Sequence, residues 1–86
     1  MSEVIYPDLL GQFIITLIGK GYQVRIDRDL IIDGVMIHII KYGDVPYHAA
    51  KMISFEELNY MTKDDQKTWF EWFIEWAEAE FKKVSI

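Results

Sequence analysis

Tyr22-Gln23-Val24-Arg25-Ile26-Asp27, Leu30-Ile31-Ile32, Asp33-Gly34 and Val35 to Tyr42 (VMIHIIKY) make up the stretch on which the fold turns. Tyr22 to Asp27 alternates apolar and polar, the period-two pattern of a half-buried strand with Tyr22, Val24 and Ile26 inward. Asp33-Gly34 reads as a tight hairpin, since a type I′ turn needs two residues at positive φ. Val35 to Tyr42 is rich in β-branched residues and forms the second strand. Gly43-Asp44 is a second turn, and Tyr47 to Ile53 (YHAAKMI) a third strand. Pro46 cannot donate to a ladder and belongs at that strand's start or on an edge.

The tight hairpin creates a conflict. It sets Leu30 opposite Ile37 and Arg28 opposite Ile39, so Arg28 falls on the face of Val24, Ile26 and Leu30. A bulge or turn near Asp27–Asp29 removes the conflict. One long strand and two short ones both remain open.

Outward from this core the pattern becomes helical. Residues 1–6 are a short arm. Pro7 and Asp8 open a helix, Pro with its φ already set and Asp complementing the N-terminal dipole. Leu9, Leu10, Phe13, Ile14, Leu17 and Ile18 share its apolar face. Gly11 lies inside it, as close packing or as a tolerated defect. Gly19-Lys20-Gly21 stops it, with Gly21 as the left-handed cap. Ser54-Phe55-Glu56-Glu57 is a capping box for a short helix over Phe55 to Tyr60. Thr62-Lys63-Asp64-Asp65 is a looser one opening the last helix, about Lys63 to Lys83. The expected fold is a single α+β domain, residues 1–86, in the order αβββαα. It has a three-stranded antiparallel meander with helices packed on one face.

Composition narrows function. The chain has 86 residues, 51% of them hydrophobic, and no cysteine. Packing must therefore hold it, and a cytoplasmic location is expected. Its longest apolar run, near Phe13–Ile18, is far short of the roughly 20 residues of a membrane span. Fourteen acids face nine bases. Between Ser54 and Phe81 eight acids face only Lys63 and Lys67. Phosphate recognition needs clustered Lys or Arg, so direct nucleic-acid binding is not expected.

The last helix carries the functional signal. At 100° per residue Trp72, Trp76, Trp69, Phe73, Val84, Ala77, Phe70, Phe81 and Ile74 fall within an arc of roughly 200°, against the 100° or so of an ordinary core-facing stripe. Glu71, Glu75, Glu78 and Lys82 take the other side. Either the helix is wedged into the core with its tryptophans as bulk filler, or Trp72 and Trp76 stay exposed beside carboxylates as an interface.

No catalytic, metal or cofactor constellation is expected. His38 would stand opposite Asp29 on the outer face, a cross-strand pair of the kind that also serves as a general-base couple, but no nucleophile is at hand. His38, Asp44 and His48 match no zinc spacing. Asp27, Asp29 and Asp33 do not fit the calcium-loop template, and Gly19-Lys20-Gly21 is not a phosphate loop.

The expected role is that of a small acidic protein-binding module. Trp72, Trp76, Glu71, Glu75 and Glu78 would engage a partner protein, of which a basic nucleic-acid-binding protein is one form. In size, charge sign and element order the chain resembles small acidic α+β inhibitors encoded by phages, such as anti-CRISPR and other DNA-mimic proteins. The resemblance rests on no motif, and it implies occupation of a basic groove. The alternative is a homo-oligomer built through the aromatic helix. The order αβββα is also similar to that of double-stranded RNA-binding domains, but their last helix carries lysines where this one has Glu71, Glu75 and Glu78.

Overall fold

The computed structural model describes residues 5–43 and 46–84. Its elements are α1 (Pro7–Gly19), β1 (Tyr22–Asp29), β2 (Gly34–Lys41), β3 (Tyr47–Ser54), α2 (Phe55–Tyr60) and α3 (Lys63–Val84). The strands form one antiparallel sheet in the order β1-β2-β3. Among the described residues no helix is long and apolar enough to cross a membrane. Asp44, one of the two expected turn residues after β2, lies outside the described residues.

Local chemistry explains the helix ends. Pro7 sits in the first turn of α1, and Gly21 adopts φ 88° just past its end. Ser54 Oγ accepts from Glu57 N at 3.0 Å, capping α2. Thr62 and Asp65 cap α3 reciprocally: Asp65 N donates to Thr62 Oγ1 at 3.1 Å, and Thr62 N donates to Asp65 Oδ2 at 3.0 Å. Each exchange satisfies helix donors that have no partner within the helix.

The β1–β2 hairpin departs from the tight-turn expectation. Asp29 pairs with Gly34, Arg28 with Val35, Ile26 with Ile37 and Val24 with Ile39. Leu30, Ile31, Ile32 and Asp33 are therefore loop, not strand. Only Asp33 takes a positive φ, 52°. Asp29 Oδ1 accepts from the backbone N–H groups of Ile31 and Ile32 and holds the loop. The physical reason lies with Arg28. A two-residue turn would set it against Ile39 in the middle of the apolar face, where an unpaired charge is costly. In the observed register it reaches the sheet's end. There its guanidinium lies 4.6 Å from the Phe55 ring centroid, donates to Gly34 O and pairs with Asp33 at 2.6 Å.

The sheet's inner face carries Val35, Ile37, Ile39, Ala49 and Ile53, all buried. α1 lies against β1 and α3 against β3. From α1 come Leu9, Phe13 and Leu17; from α3 come Phe70, Phe73, Ala77 and Phe81. Phe13 joins the layers, with ring centroids 4.8 Å from Phe70 and 6.0 Å from Phe73. Gln66, 1% exposed, is the polar pin: its Oε1 accepts from Tyr6 N at 3.2 Å and its Nε2 donates to Leu58 O at 3.4 Å.

Both outer strands place one cation on the inner face, Arg28 on β1 and Lys51 on β3. An inward charge on an edge strand discourages further strand addition. Each is covered by aromatic rings, Phe55 for Arg28 and Trp72 and Trp76 for Lys51.

Candidate functional site

α3 does not bury its whole apolar arc. Phe70, Phe73, Ala77 and Phe81 are buried, Trp69, Ile74 and Trp76 are half-buried, and Trp72 is 45% exposed. The core thus takes a stripe of roughly 100°, the usual width, and the tryptophans form its outer shoulder. They pack in series: Trp69–Trp72 centroids are 6.5 Å apart, and Trp72–Trp76 centroids 6.3 Å with planes 20° apart. Beneath them Lys51 Nζ stands 4.2 Å from the Trp76 centroid and 5.6 Å from that of Trp72. A cation over an indole face stabilises by about 0.5–1 kcal/mol. Lys51 therefore holds the ledge from below and leaves the outer surface of Trp72 to solvent.

The ledge opens into a shallow hollow lined by Met61, Asp65, Thr68, Trp69 and Trp72. Asp65 gives it a carboxylate, and Glu75 lies one turn from Trp72 on the exposed side of α3, where residues three apart are neighbours.

The expected contact residues do not all share this surface. Glu71 borders a different groove, about 230 Å³, between α1 and α3, where Leu9, Phe13, Phe70 and Ile74 form the floor and Lys67 stands on the rim. Glu78 is engaged within the chain: it accepts from Lys20 Nζ at 3.0 Å and from the Tyr22 hydroxyl at 3.1 Å. The Lys20 hydrogen bond holds the Glu78 carboxyl below its ordinary range against some burial. Burial, and then the neighbouring Glu78 carboxylate, pushes the Tyr22 hydroxyl up. Among the described residues Glu71 and Glu75 make no ion pair. The structure thus gathers Trp72 and Trp76 with Trp69 and Asp65, keeps Glu75 alongside, and sets Glu71 and Glu78 toward α1.

Apolar exposure is also found where the sequence pattern did not place it. Ile15 on α1 is 72% exposed and Ile18 is exposed beside it; Ile31 at the hairpin tip is 96% exposed and Leu30 nearly as much. The signal for the tip was present in the apolar run bracketed by Asp29 and Asp33, which the strand reading absorbed.

A polar chain crosses the open face of the sheet. His38, only 7% exposed, meets Asp27 and His48, and not the expected Asp29. The changed register sets Arg25 directly opposite His38 and Asp27 diagonal to it. Among the described residues no group of three or more His, Cys, Asp or Glu side chains converges as a metal site would.

Comparison of the chain with protein-family models, with curated proteins and with solved structures found no match.

Proposed function

We propose that this chain is a small acidic protein-binding module that docks through the tryptophan ledge of α3. The observation that carries this reading is the exposure of Trp72, backed by Trp69, Trp76 and Lys51 and bordered by the Asp65 hollow. A rigid, pre-packed indole loses little side-chain entropy on binding, and Trp is enriched at interface hot spots. The partner surface that fits is one bearing Lys or Arg. Guanidinium or ammonium groups would meet Asp65 and Glu75 while an apolar stem or ring covers Trp72. A basic nucleic-acid-binding groove has this character, and its occupation by a phage-type inhibitor is the specific form of the proposal.

The test is capture of basic nucleic-acid-binding proteins by the untagged chain at low and high salt, with Trp72→Ala in parallel. Binding is expected to weaken from about 50 to 500 mM salt as screening shortens to a few ångströms. Trp72→Ala should weaken it at least 30-fold, about 2 kcal/mol. Binding that ignores both salt and Trp72 would overturn the reading. Because Trp72 is half outside the core, the variant's melting temperature serves as the folding control.

A second reading, a homo-oligomer, is supported by Ile15 and Ile18 on the uncharged outer face of α1. Symmetric pairing through α3 would set Glu75 and its neighbours close to their own copies, whereas α1 carries no charge between Asp8 and Lys20. Light scattering distinguishes the two: a dimer mass that Ile15→Glu reduces to that of a monomer favours self-association.

A further inference from the structure

We infer that Asp27, His38 and His48 form a one-proton clasp on the open face of the sheet, which holds the outer strand β3 to β2 while a single hydrogen lies between the two imidazoles and opens when both rings are charged. His38 stands mid-strand on β2, directly opposite Arg25 on β1 and Ala50 on β3. Ala50 contributes only a methyl group. His48, two residues earlier on β3, leans across the space this leaves; diagonal cross-strand neighbours lie within reach of long side chains. His38 Nδ1 then lies 2.6 Å from His48 Nε2, with the ring planes within 9° of each other. So short a gap between nearly parallel rings is one N–H···N hydrogen bond, with room for one hydrogen.

The other edge of His38 decides which ring supplies that hydrogen. Nε2 lies 3.1 Å from Asp27 Oδ2. Arg25 holds the same oxygen in place, donating from Nε and Nη2 at 3.1 and 2.9 Å. An ionised carboxylate only accepts, so His38 Nε2 carries its hydrogen and, in the neutral ring, Nδ1 is a bare acceptor. His48 Nε2 is therefore the donor, and the His48 Nδ1 keeps its lone pair. The chain runs from donor to acceptor in one direction, from His48 through His38 to Asp27.

Two protons added to this chain act differently. The first goes to His48 Nδ1; the His48 N–H still meets His38 Nδ1, and the bond becomes charge-assisted. The second has only His38 Nδ1 left. Two N–H groups would then point at each other across 2.6 Å, and the rings must part. His38 is 7% exposed and tied to Asp27, whereas His48 is exposed on an outer strand, so His48 swings away.

The surroundings do not offset the second charge. On this face β1 brings Arg25, Asp27 and Asp29, while β2 brings Met36 and Ile40 and β3 brings Ala50 and Met52. α2 follows β3 at Ser54 with Glu56 and Glu57, and Glu57 is bonded to Ser54. α1 and α3 pack on the other face. Among the described residues Asp27 is the one carboxylate that reaches either ring. Once both histidines would be charged, the native fold with its clasp closed binds one proton fewer than the unfolded chain, so acid withdraws the clasp's contribution to stability.

The experiment follows the ring ¹⁵N shifts of the wild-type chain, and its urea stability beside that of His48→Thr, from about pH 7.5 to about 4.5. Thr suits a strand and is too short to reach His38. The shifts should show His38 Nδ1 as an acceptor at neutral pH, His48 charging first and His38 Nδ1 last. His48→Thr should lower the folding constant about three- to tenfold near neutral pH, and the two chains should converge at the acid end. Rings that charge as two independent histidines, or a stability gap unchanged across the range, overturn the clasp.

Discussion

Gly34 runs so close to Ser54 that a β-carbon on residue 34 would stand 2.6 Å from the Ser54 α-carbon. The two residues are register partners, and Phe55 N donates to Asp33 O at 2.9 Å next to them. Glycine is thus required here for backbone approach, not for a turn dihedral. Gly34→Ala must push β3 and the start of α2 away from β2. The expected loss is about 3 kcal/mol or more, read as a lower urea midpoint with unchanged slope. A neutral result would mean that β3 does not pack this tightly in solution.

Gln66 ties three segments together with one side chain. Gln66→Leu keeps the volume but strands the Tyr6 N–H and leaves the Leu58 carbonyl with Met61 N as its donor. Each unsatisfied buried group costs about 1–3 kcal/mol. A net loss of about 2 kcal/mol is expected, lowering Tm by roughly 10 °C for a domain this size. Thermal melting checks it, and hydrogen exchange should show α2 and the start of α3 loosened first.

The Glu78 carboxyl, held down chiefly by Lys20, makes stability depend on acid. A carboxyl whose folded value is depressed stabilises fully above its unfolded value, 4.5 here, and that contribution disappears as pH falls through the folded value. Wild type should therefore exceed Glu78→Gln in stability at pH 7, and the gap should close below pH 4.5. Urea denaturation at several pH values measures it. A gap that stays constant with pH would mean that the Lys20–Glu78 contact does not persist in solution.

Gly11 is the opposite case from Gly34. A β-carbon there meets nothing within 4 Å. Gly11→Ala should raise helix propensity with no packing penalty, stabilising by about 0.5–1 kcal/mol. Differential scanning calorimetry would register a higher Tm. Destabilisation would show that a neighbour approaches this face of α1 in solution.

Some of this was legible from the chain alone because the causes are local. Ser54 and Glu57 lie within one helical turn, as do Thr62 and Asp65, and so their capping is written in adjacent letters. Gly21 announces its own left-handed φ. The period of Tyr22 to Asp27 and the β-branched run of Val35 to Tyr42 specify strands whatever they pair with. The wide apolar arc of α3 was also visible, although its division into core stripe and exposed shoulder was not. That division depends on how much of α3 the sheet and α1 can cover.

The order of elements, their type and most of their ends follow from short-range chemistry, so the sequence by itself determined them. Only the tertiary structure decided the hairpin register, the pairing of His38 with Asp27 and His48, the capture of Glu78 by Lys20 and Tyr22, and the exposure of Trp72. Each of these is a competition among groups distant in the chain. Arg28 moved the register because its charge is best accommodated at the sheet's end beside Phe55 and Asp33. That alternative comes into view only when the strands, the hairpin loop and α2 are assembled.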